Sequence, residues 1–110
     1  MRHVAQRPIS EPVLLILTSL ANQPRHGYAL IKDIDELSGG RVRLSTGTLY
    51  GALRRLLESA WIERFEQEDT SREKQAYQLT AAGREQLRLE LDRMRQWTRL
   101  AGVRLRTRRT

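Results

Sequence analysis

The spacing of apolar and polar positions divides the chain into segments with two different periods. Helical spacing predicts helices at about residues 10–21, 27–38, 46–59 and 81–104. Strand-like alternation in Trp61-Ile-Glu-Arg-Phe and Gln75-Ala-Tyr-Gln-Leu predicts a hairpin over about residues 61–79. Residues 41–44 also alternate, as a short strand or an extended linker does. The predicted fold class is therefore mainly α with a small β hairpin: a winged helix-turn-helix plus a C-terminal dimerisation helix.

Capping residues stand at the predicted helix ends. Ser10, Ser45 and Thr80 are placed as N-caps, and Asn22-Gln-Pro-Arg reads as a turn between the first two helices. Ser38-Gly39-Gly40 supplies the left-handed residue that closes the second helix. His26, at the start of that helix, is interpreted as a cap or packing residue rather than a ligand.

The first and last helices carry apolar residues on more than one side. Residues 13–17 are all apolar, and Leu89 and Leu100 lie nearly opposite the main stripe of the last helix. In a small protein this pattern favours contact with a second copy of the chain over a central core helix in a monomer. The predicted dimer interface comprises Leu14, Leu17, Leu87, Leu91, Met94, Trp97 and Ala101.

Length and charge narrow the class of protein. The length of 110 residues predicts one domain, which the periodic pattern divides into a winged helix at 1–80, a dimerisation helix at 81–104 and a basic tail at 105–110. The net charge of +7, from 20 basic and 13 acidic residues, favours an anionic partner such as nucleic acid. The chain has no cysteine, no apolar run of membrane-spanning length and no signal-peptide pattern, so we expect a cytoplasmic protein without a membrane role.

The third helix is the predicted DNA reader. Its core arc holds Leu49, Leu53, Leu56, Leu57 and Ala60, while the opposite arc begins with small and hydroxylated residues and continues with arginines. A small first turn with free N–H groups approaches a phosphate or base edge closely, although a solvated surface helix shows the same pattern. Tyr50 lies at the border of the two arcs, so core edge and DNA contact are equally compatible with its position.

Two cations in the predicted wing, Arg72 and Lys74, suit contacts to neighbouring phosphates. The predicted DNA-binding residues are Ser45, Thr46, Gly47, Thr48, Tyr50, Arg54, Arg55, Arg72 and Lys74. Trp97 is either part of the dimer interface or, with Met94, a platform for a planar aromatic or cationic effector. Two histidines, no cysteine and no metal-ligand or catalytic spacing argue against an enzyme, and we expect no cofactor or metal.

Three short motifs in this order resemble the PadR family of bacterial transcriptional regulators. The first is His26-Gly27-Tyr28. The second is Leu-Ser-Thr-Gly-Thr-Leu-Tyr50 followed by Leu53 and Arg55-Leu56, and the third is Tyr77-Gln-Leu-Thr-x-x-Gly83. The resemblance covers residues 9–100. In length the chain is similar to the short-tailed members of the family, which have a single terminal helix. It implies a homodimeric repressor that releases DNA when a small molecule or another signal acts.

The sequence departs from the family pattern at three positions. Thr46 and Gly51 stand where family members often have proline, and Ala60 stands where a glycine usually precedes the first wing strand. Gly51 costs the helix about 1 kcal/mol relative to alanine, and we interpret it as a groove-facing position.

The sequence therefore predicts a homodimer that binds a pseudo-palindromic double-stranded DNA operator and represses transcription. Two alternatives stay open: a winged-helix protein-interaction module, and a non-specific nucleic-acid binder that acts through its arginine-rich tail. Salt-dependent binding to a palindromic duplex distinguishes a DNA-binding repressor from a protein-interaction module. Deletion of residues 105–110 distinguishes it from a non-specific binder.

Overall fold

The chain forms four helices and a three-stranded antiparallel sheet within the residues described by a computed structural model, 8–65 and 75–108. The order is α1 (Glu11–Ser19), β1 (Arg25–His26), α2 (Gly27–Leu37), α3 (Thr46–Glu58), β2 (Ile62–Phe65), β3 (Ala76–Leu79) and α4 (Ala81–Thr107). The predicted fold class is confirmed. One strand lies where the sequence predicted a turn: β1 was missed because two residues are too few to show an alternation.

Helix α1 supplies the centre of the core. The Ser10 hydroxyl accepts a hydrogen bond from the Val13 N–H, and Pro12 occupies the first turn, where its missing N–H is not needed. Ile16 and Leu17 are fully buried, and α1 packs against α2 and α4. The predicted interface residue Leu17 is thus a core residue of its own chain, since a side chain without exposed surface has none to offer a second copy.

A half-buried polar network connects α1 with α2 and β1. The Ser19 hydroxyl donates to Asp33 Oδ2 at 2.5 Å, and the Arg25 Nε donates to the Ser19 carbonyl at 2.7 Å. Arg25 Nε also lies 3.6 Å from Asp33 Oδ2, which gives the half-buried carboxylate a positive neighbour. The network fixes the turn that leads from α1 into the sheet.

Helix α2 closes on a left-handed glycine, as predicted. Gly39 has a φ of 64°, its N–H donates to the Glu36 carbonyl, and the Gly40 N–H donates to the Asp35 carbonyl. These two bonds form a Schellman cap. Residues 41–44 form no strand; the Ser38 hydroxyl accepts from the Val42 N–H at 2.9 Å, so this segment is the extended-linker alternative.

Helix α3 packs its apolar face on α2. Leu49, Leu53 and Leu56 are almost completely buried, together with Ala52, and Leu57 is half-buried. Ala60 is not on this face, contrary to the prediction, because α3 has already ended at Glu58. Ala60 is exposed, and its φ of 61° makes it the left-handed residue of a second Schellman cap, with bonds from its N–H to Leu57 and from Trp61 to Leu56.

The sheet has the order β1-β3-β2 and closes against α3. Ile62 pairs with Leu79 and Arg64 pairs with Tyr77, so these four residues share one face of the hairpin. On that face Ile62, Tyr77 and Leu79 are buried. The tip of the predicted hairpin lies outside the described residues.

Helix α4 begins in the core and continues well beyond it. The Thr80 hydroxyl accepts from the Gly83 N–H at 3.0 Å, and Gly83, Leu87 and Glu90 are the buried residues of this helix among those described. Leu87 is therefore largely a core residue of its own chain, although it was predicted at the dimer interface. The helix continues through Thr107, three residues past the predicted boundary, because the alternation of leucines and arginines at its end suits a helix as well as a tail.

Candidate nucleic-acid interface

The first turn of α3 is small, open and polar. The Ser45 hydroxyl accepts from the Thr48 N–H at 3.1 Å and donates to the Thr48 hydroxyl at 3.0 Å. Thr46, Gly47 and Thr48 are exposed, and a methyl group added at Gly47 would have no neighbour within 4 Å. A flat anion or a base edge can therefore approach the positive end of this helix without steric hindrance.

Two arginines follow on the exposed side of α3. Arg54 and Arg55 have no ion-pair partner among residues 8–65 and 75–108. The Arg55 guanidinium lies beside Gly51, with Nη1 4.0 Å from the position that a β-carbon would occupy there. Arg54 lies towards the hairpin and Arg55 towards the other side, so the two cations flank the outward face of the helix.

A cleft of about 660 Å³ lies between α3 and the hairpin. Its floor is apolar, with Leu53 and Leu57, and its rim carries Arg54 and Arg64. The remaining lining residues are Tyr28, Thr46, Gly47, Tyr50, Gln75 and Tyr77. All three tyrosines of the chain therefore line this cleft.

Apart from the two leucines of the floor, which were predicted as core residues, four cleft residues were not predicted at the site: Tyr28, Arg64, Gln75 and Tyr77. A signal existed for Arg64, because it is two residues from the inward-facing Ile62 and so shares its face of the strand. Tyr28 reaches the cleft from the first turn of α2 and is 65% exposed. It belongs to the first family motif, but that motif did not indicate a position beside α3.

Two of the sequence motifs meet in this region. A β-carbon at Gly27 would lie 2.9 Å from Cζ of Tyr50 and still closer to its hydroxyl group. Gly27 thus leaves the space that the Tyr50 ring occupies, and Tyr50 is half-buried between the core and the cleft. His26 holds the N-cap position of α2 but makes no side-chain capping bond.

A third motif joins the hairpin to α4. A β-carbon at Gly83 would collide with the Trp61 backbone, coming within 2.8 Å of its carbonyl carbon. The Thr80 hydroxyl donates to the Ala60 carbonyl at 2.6 Å, and the Thr80 N–H donates to the Trp61 carbonyl at 3.1 Å. These contacts fix the hairpin against the start of α4, and so hold the cleft wall in place.

The remaining predicted site residues are dispersed. Arg72 and Lys74 lie outside the described residues. Leu14 is half-buried, and Leu91, Met94, Trp97 and Ala101 are exposed on α4, with Trp97 at 66%. The described parts of the chain contain no cluster of three residues able to hold a metal ion, and no described helix has the length and apolar character to cross a membrane.

The class of protein follows from this arrangement: three helices, a small sheet and an open, cationic third helix form a winged helix. Residues 16–89 match the transcriptional regulator PadR-like family. The chain belongs to this family.

The chain is also similar to a protein encoded in a transposon. The chain is 40% identical over 89 residues to an uncharacterized 37.1 kDa protein in transposon TN4556 of Streptomyces fradiae. The match covers 81% of this chain but 24% of that protein, so the chain spans about a quarter of the relative's length.

Two crystal structures have the same fold. A PadR family transcription regulator from Clostridium difficile is similar with a TM-score of 0.70 and 22% identity, over 87% of this chain and 99% of that one. Bacillus subtilis PadR in complex with operator DNA is similar with a TM-score of 0.65 and 25% identity, over 76% of this chain and 48% of that one.

Proposed function

We propose that this family member is a homodimeric repressor that binds double-stranded DNA sequence-specifically. The observation that carries the proposal is the surface of α3, with its open first turn at Gly47 and with Arg54 and Arg55 free of acidic partners among the described residues. The likeness to a PadR protein solved with operator DNA supports the same partner. Such a protein acts in the cytoplasm, where the DNA is.

In this proposal α3 enters the major groove and the hairpin contacts the flanking backbone. The first turn, from Ser45 to Thr48, meets the DNA first, and Arg54 and Arg55 reach base edges or phosphates one to two turns further along the helix. Tyr50 and Arg64 line the cleft between the helix and the hairpin, so a strand of the duplex backbone that enters the cleft meets both. Arg72 and Lys74 extend the contact along the wing.

The test is selection of binding sites from a random pool of duplexes, followed by titration of Arg54→Ala and Arg55→Ala. A base-reading Arg54 predicts a loss of about 1–3 kcal/mol on the selected site, and a phosphate-bound Arg55 predicts a salt dependence lower by about one unit. Arg41→Ala is the matched control, because Arg41 is exposed but already paired with Glu11 at 2.7 Å. If the double variant binds the selected site as tightly as the parent, α3 is not the reader.

Dimerisation is proposed to occur through the exposed apolar face of α4. Leu91, Met94 and Trp97 lie on successive turns, and Leu14 of α1 adds a half-buried edge. Two such helices, packed together, place two α3 helices in successive major grooves, about 34–36 Å apart. Leu91→Asp should dissociate the dimer, since the new carboxylate is buried in the interface. A well-folded monomer of the parent at micromolar concentration in sedimentation would contradict the proposal.

Release by an effector is proposed at Trp97 and its copy in the second subunit. A planar aromatic or cationic compound that stacks on the indole, beside Met94 and Ala101, would spread the two α4 helices and shift the α3 spacing. Fluorescence titration of Trp97→Phe and Trp61→Phe locates such binding, because Trp61 lies at the start of the hairpin. Quenching that is retained in Trp97→Phe and lost in Trp61→Phe would place the compound elsewhere.

The alternative of a protein-interaction module predicts no selection of a duplex. Under that alternative, the random pool returns no enriched sequence, and the exposed arginines bind an acidic protein instead. The alternative of a non-specific binder predicts equal affinity for all duplexes and a large loss of affinity on deletion of residues 105–110.

A further inference from the structure

The second half of α4 has an unbalanced positive charge. Residues 93–107 of this helix contain five arginines and no acidic residue. Basic side chains of this chain are nearly all arginine, with Lys32 and Lys74 as the two lysines. Arginine binds phosphate oxygens with two parallel hydrogen bonds, which a lysine cannot do.

The helix arranges these arginines in a stripe. Arg84, Arg88, Arg95, Arg99 and Arg106 follow each other at steps of four and seven residues, and all five are exposed. At about 100° per residue they fall within an arc of about 60°, and they extend over about 33 Å of the helix axis. We call this set the arginine stripe. It exists because α4 continues through Thr107, so that Arg99 and Arg106 have fixed helical positions.

The arginines at the start of the arginine stripe have hydrogen-bond or ion-pair partners, whereas those at its end have no acidic partner among the described residues. Arg88 pairs with Glu85, Arg95 pairs with Asp92 at 2.8 Å, and Arg84 donates to the Ala21 carbonyl at 3.1 Å. Arg99 and Arg106 have no acidic partner within the part of the chain that the structure describes. Arg106 Nη1 instead lies 3.3 Å from the position of a β-carbon at Gly102.

The stripe lies away from the apolar face of the same helix. The apolar positions Leu87, Leu91, Met94, Trp97 and Ala101 centre about 110° around the helix from the arginines. Leu91 lies close to the stripe, but Arg99 and Arg106 lie about 120° or more around the helix from Met94, Trp97 and Ala101. A second copy packed on these three residues therefore leaves Arg99 and Arg106 uncovered. An extended polyanion matches both the charge and the length of this exposed stripe.

We infer that the arginine stripe is a second DNA-contact surface, which binds phosphates of duplex DNA without reading their sequence. The inference deepens the proposed DNA-binding function and rests on it for the choice of polyanion. Arg95 and Arg99 are separated by about 6 Å along the helix axis and Arg99 and Arg106 by about 10 Å. Duplex DNA carries one negative charge per about 1.7 Å of its axis, so more than one of these arginines can be near a phosphate. Gly102, between Arg99 and Arg106, has no side chain that would hold a DNA backbone away from this part of the helix.

The test measures the salt dependence of DNA binding by fluorescence anisotropy, with the full chain, on its selected duplex and on a scrambled duplex of equal length. Arg99→Gln/Arg106→Gln removes the unpaired cations, and Arg88→Gln/Arg95→Gln is the matched control with the same helix, the same number of substitutions and the same change in net charge. Circular dichroism checks that both variants keep α4 helical.

We expect Arg99→Gln/Arg106→Gln to lower the slope of log K against log salt by about two units per subunit on both duplexes, with the preference for the selected duplex unchanged. The control should change the slope by less than half as much, because its guanidinium groups are already engaged. Equal changes in the two variants, or no change in either, would overturn the inference. A lack of preference in the parent would instead refute sequence-specific binding, while the scrambled duplex still tests the stripe.

Vesicles containing phosphatidylserine test the competing polyanion, a membrane surface. We expect the salt dependence of DNA binding to differ between the parent and Arg99→Gln/Arg106→Gln. We expect the two proteins to bind the vesicles equally. Vesicle binding that is lost in Arg99→Gln/Arg106→Gln, with unchanged DNA slopes, would assign the stripe to a membrane and overturn the inference.

Discussion

The winged-helix body, from α1 to β3, and the second half of α4 both contain many large apolar residues, but these residues are buried in the body and exposed in α4. In the body, apolar side chains such as Ile16, Leu30 and Leu49 are completely buried within one chain. Seven of the ten large apolar side chains that are exposed among the described residues belong to α4. The body therefore derives its stability from packing of its own chain, whereas the end of α4 has only local helix energetics within its own chain.

The largest expected effect comes from removing a core side chain of the body. Leu17→Ala deletes a fully buried side chain on α1 and should lower the free energy of unfolding by about 2–5 kcal/mol. The loss should be the same at all protein concentrations, because the cavity lies inside one chain. Urea unfolding at several concentrations measures it.

Met94→Ala is the control from α4, where the side chain is 40% exposed. Its effect should be small in dilute protein and should grow with concentration, because the contact that it weakens is proposed to lie between two copies. A concentration-independent loss as large as that of Leu17→Ala would show that Met94 is packed within its own chain, and would remove the contrast between the two regions.

The second prediction compares the same substitution, glycine to alanine, at the start of α4 and in its second half. Gly83→Ala should destabilise the protein by about 3 kcal/mol, because the new methyl group collides with the Trp61 backbone, which cannot rotate away as a side chain can. Gly102→Ala should instead stabilise it by about 0.5–1 kcal/mol, since alanine favours a helix and the neighbouring Arg106 guanidinium can move. Thermal unfolding followed by circular dichroism measures both. Equal effects at the two glycines would mean that the start of α4 is not fixed against the hairpin.

The extent to which the sequence predicted the structure follows the same division. The helices, the hairpin and the capping residues Ser10, Ser45 and Thr80 were predicted, because each depends on residues close in sequence. The periodic pattern did not distinguish a core leucine from an interface leucine. Leu17 and Leu91 look alike in sequence, and only the packing of α1 between α2 and α4 buries the first and leaves the second exposed.

The candidate site shows the same limit. The polar face of α3 was recognisable because it lies within one helix. The cleft was not recognisable, since Tyr28 of α2, Arg64 of β2 and Gln75, just before β3, meet through tertiary structure alone. The predicted wing cations and the dimer contacts stay predictions until the experiments proposed above are carried out.

The smallest expected effect compares the caps at the ends of α2 and α3. Both are Schellman caps with a left-handed residue: Gly39 at φ 64° after α2 and Ala60 at φ 61° after α3. An L-residue in this conformation costs roughly 1–2 kcal/mol, and a glycine costs less there because it has no β-carbon. Ala60 is held in place by the bond that its carbonyl accepts from the Thr80 hydroxyl, so the strain at α3 is maintained by the junction with α4. Ala60→Gly should therefore stabilise the protein by about 1 kcal/mol. Gly39→Ala should destabilise it by about the same amount, since a β-carbon at Gly39 meets nothing within 4 Å and the cost is conformational alone. Because the two sites share no hydrogen-bond partner, the double variant should be about as stable as the parent.

Urea unfolding of the parent, the two single variants and the double variant measures these differences in the free energy of unfolding. A destabilising Ala60→Gly would mean that flexibility at the start of the hairpin costs more than the left-handed backbone does.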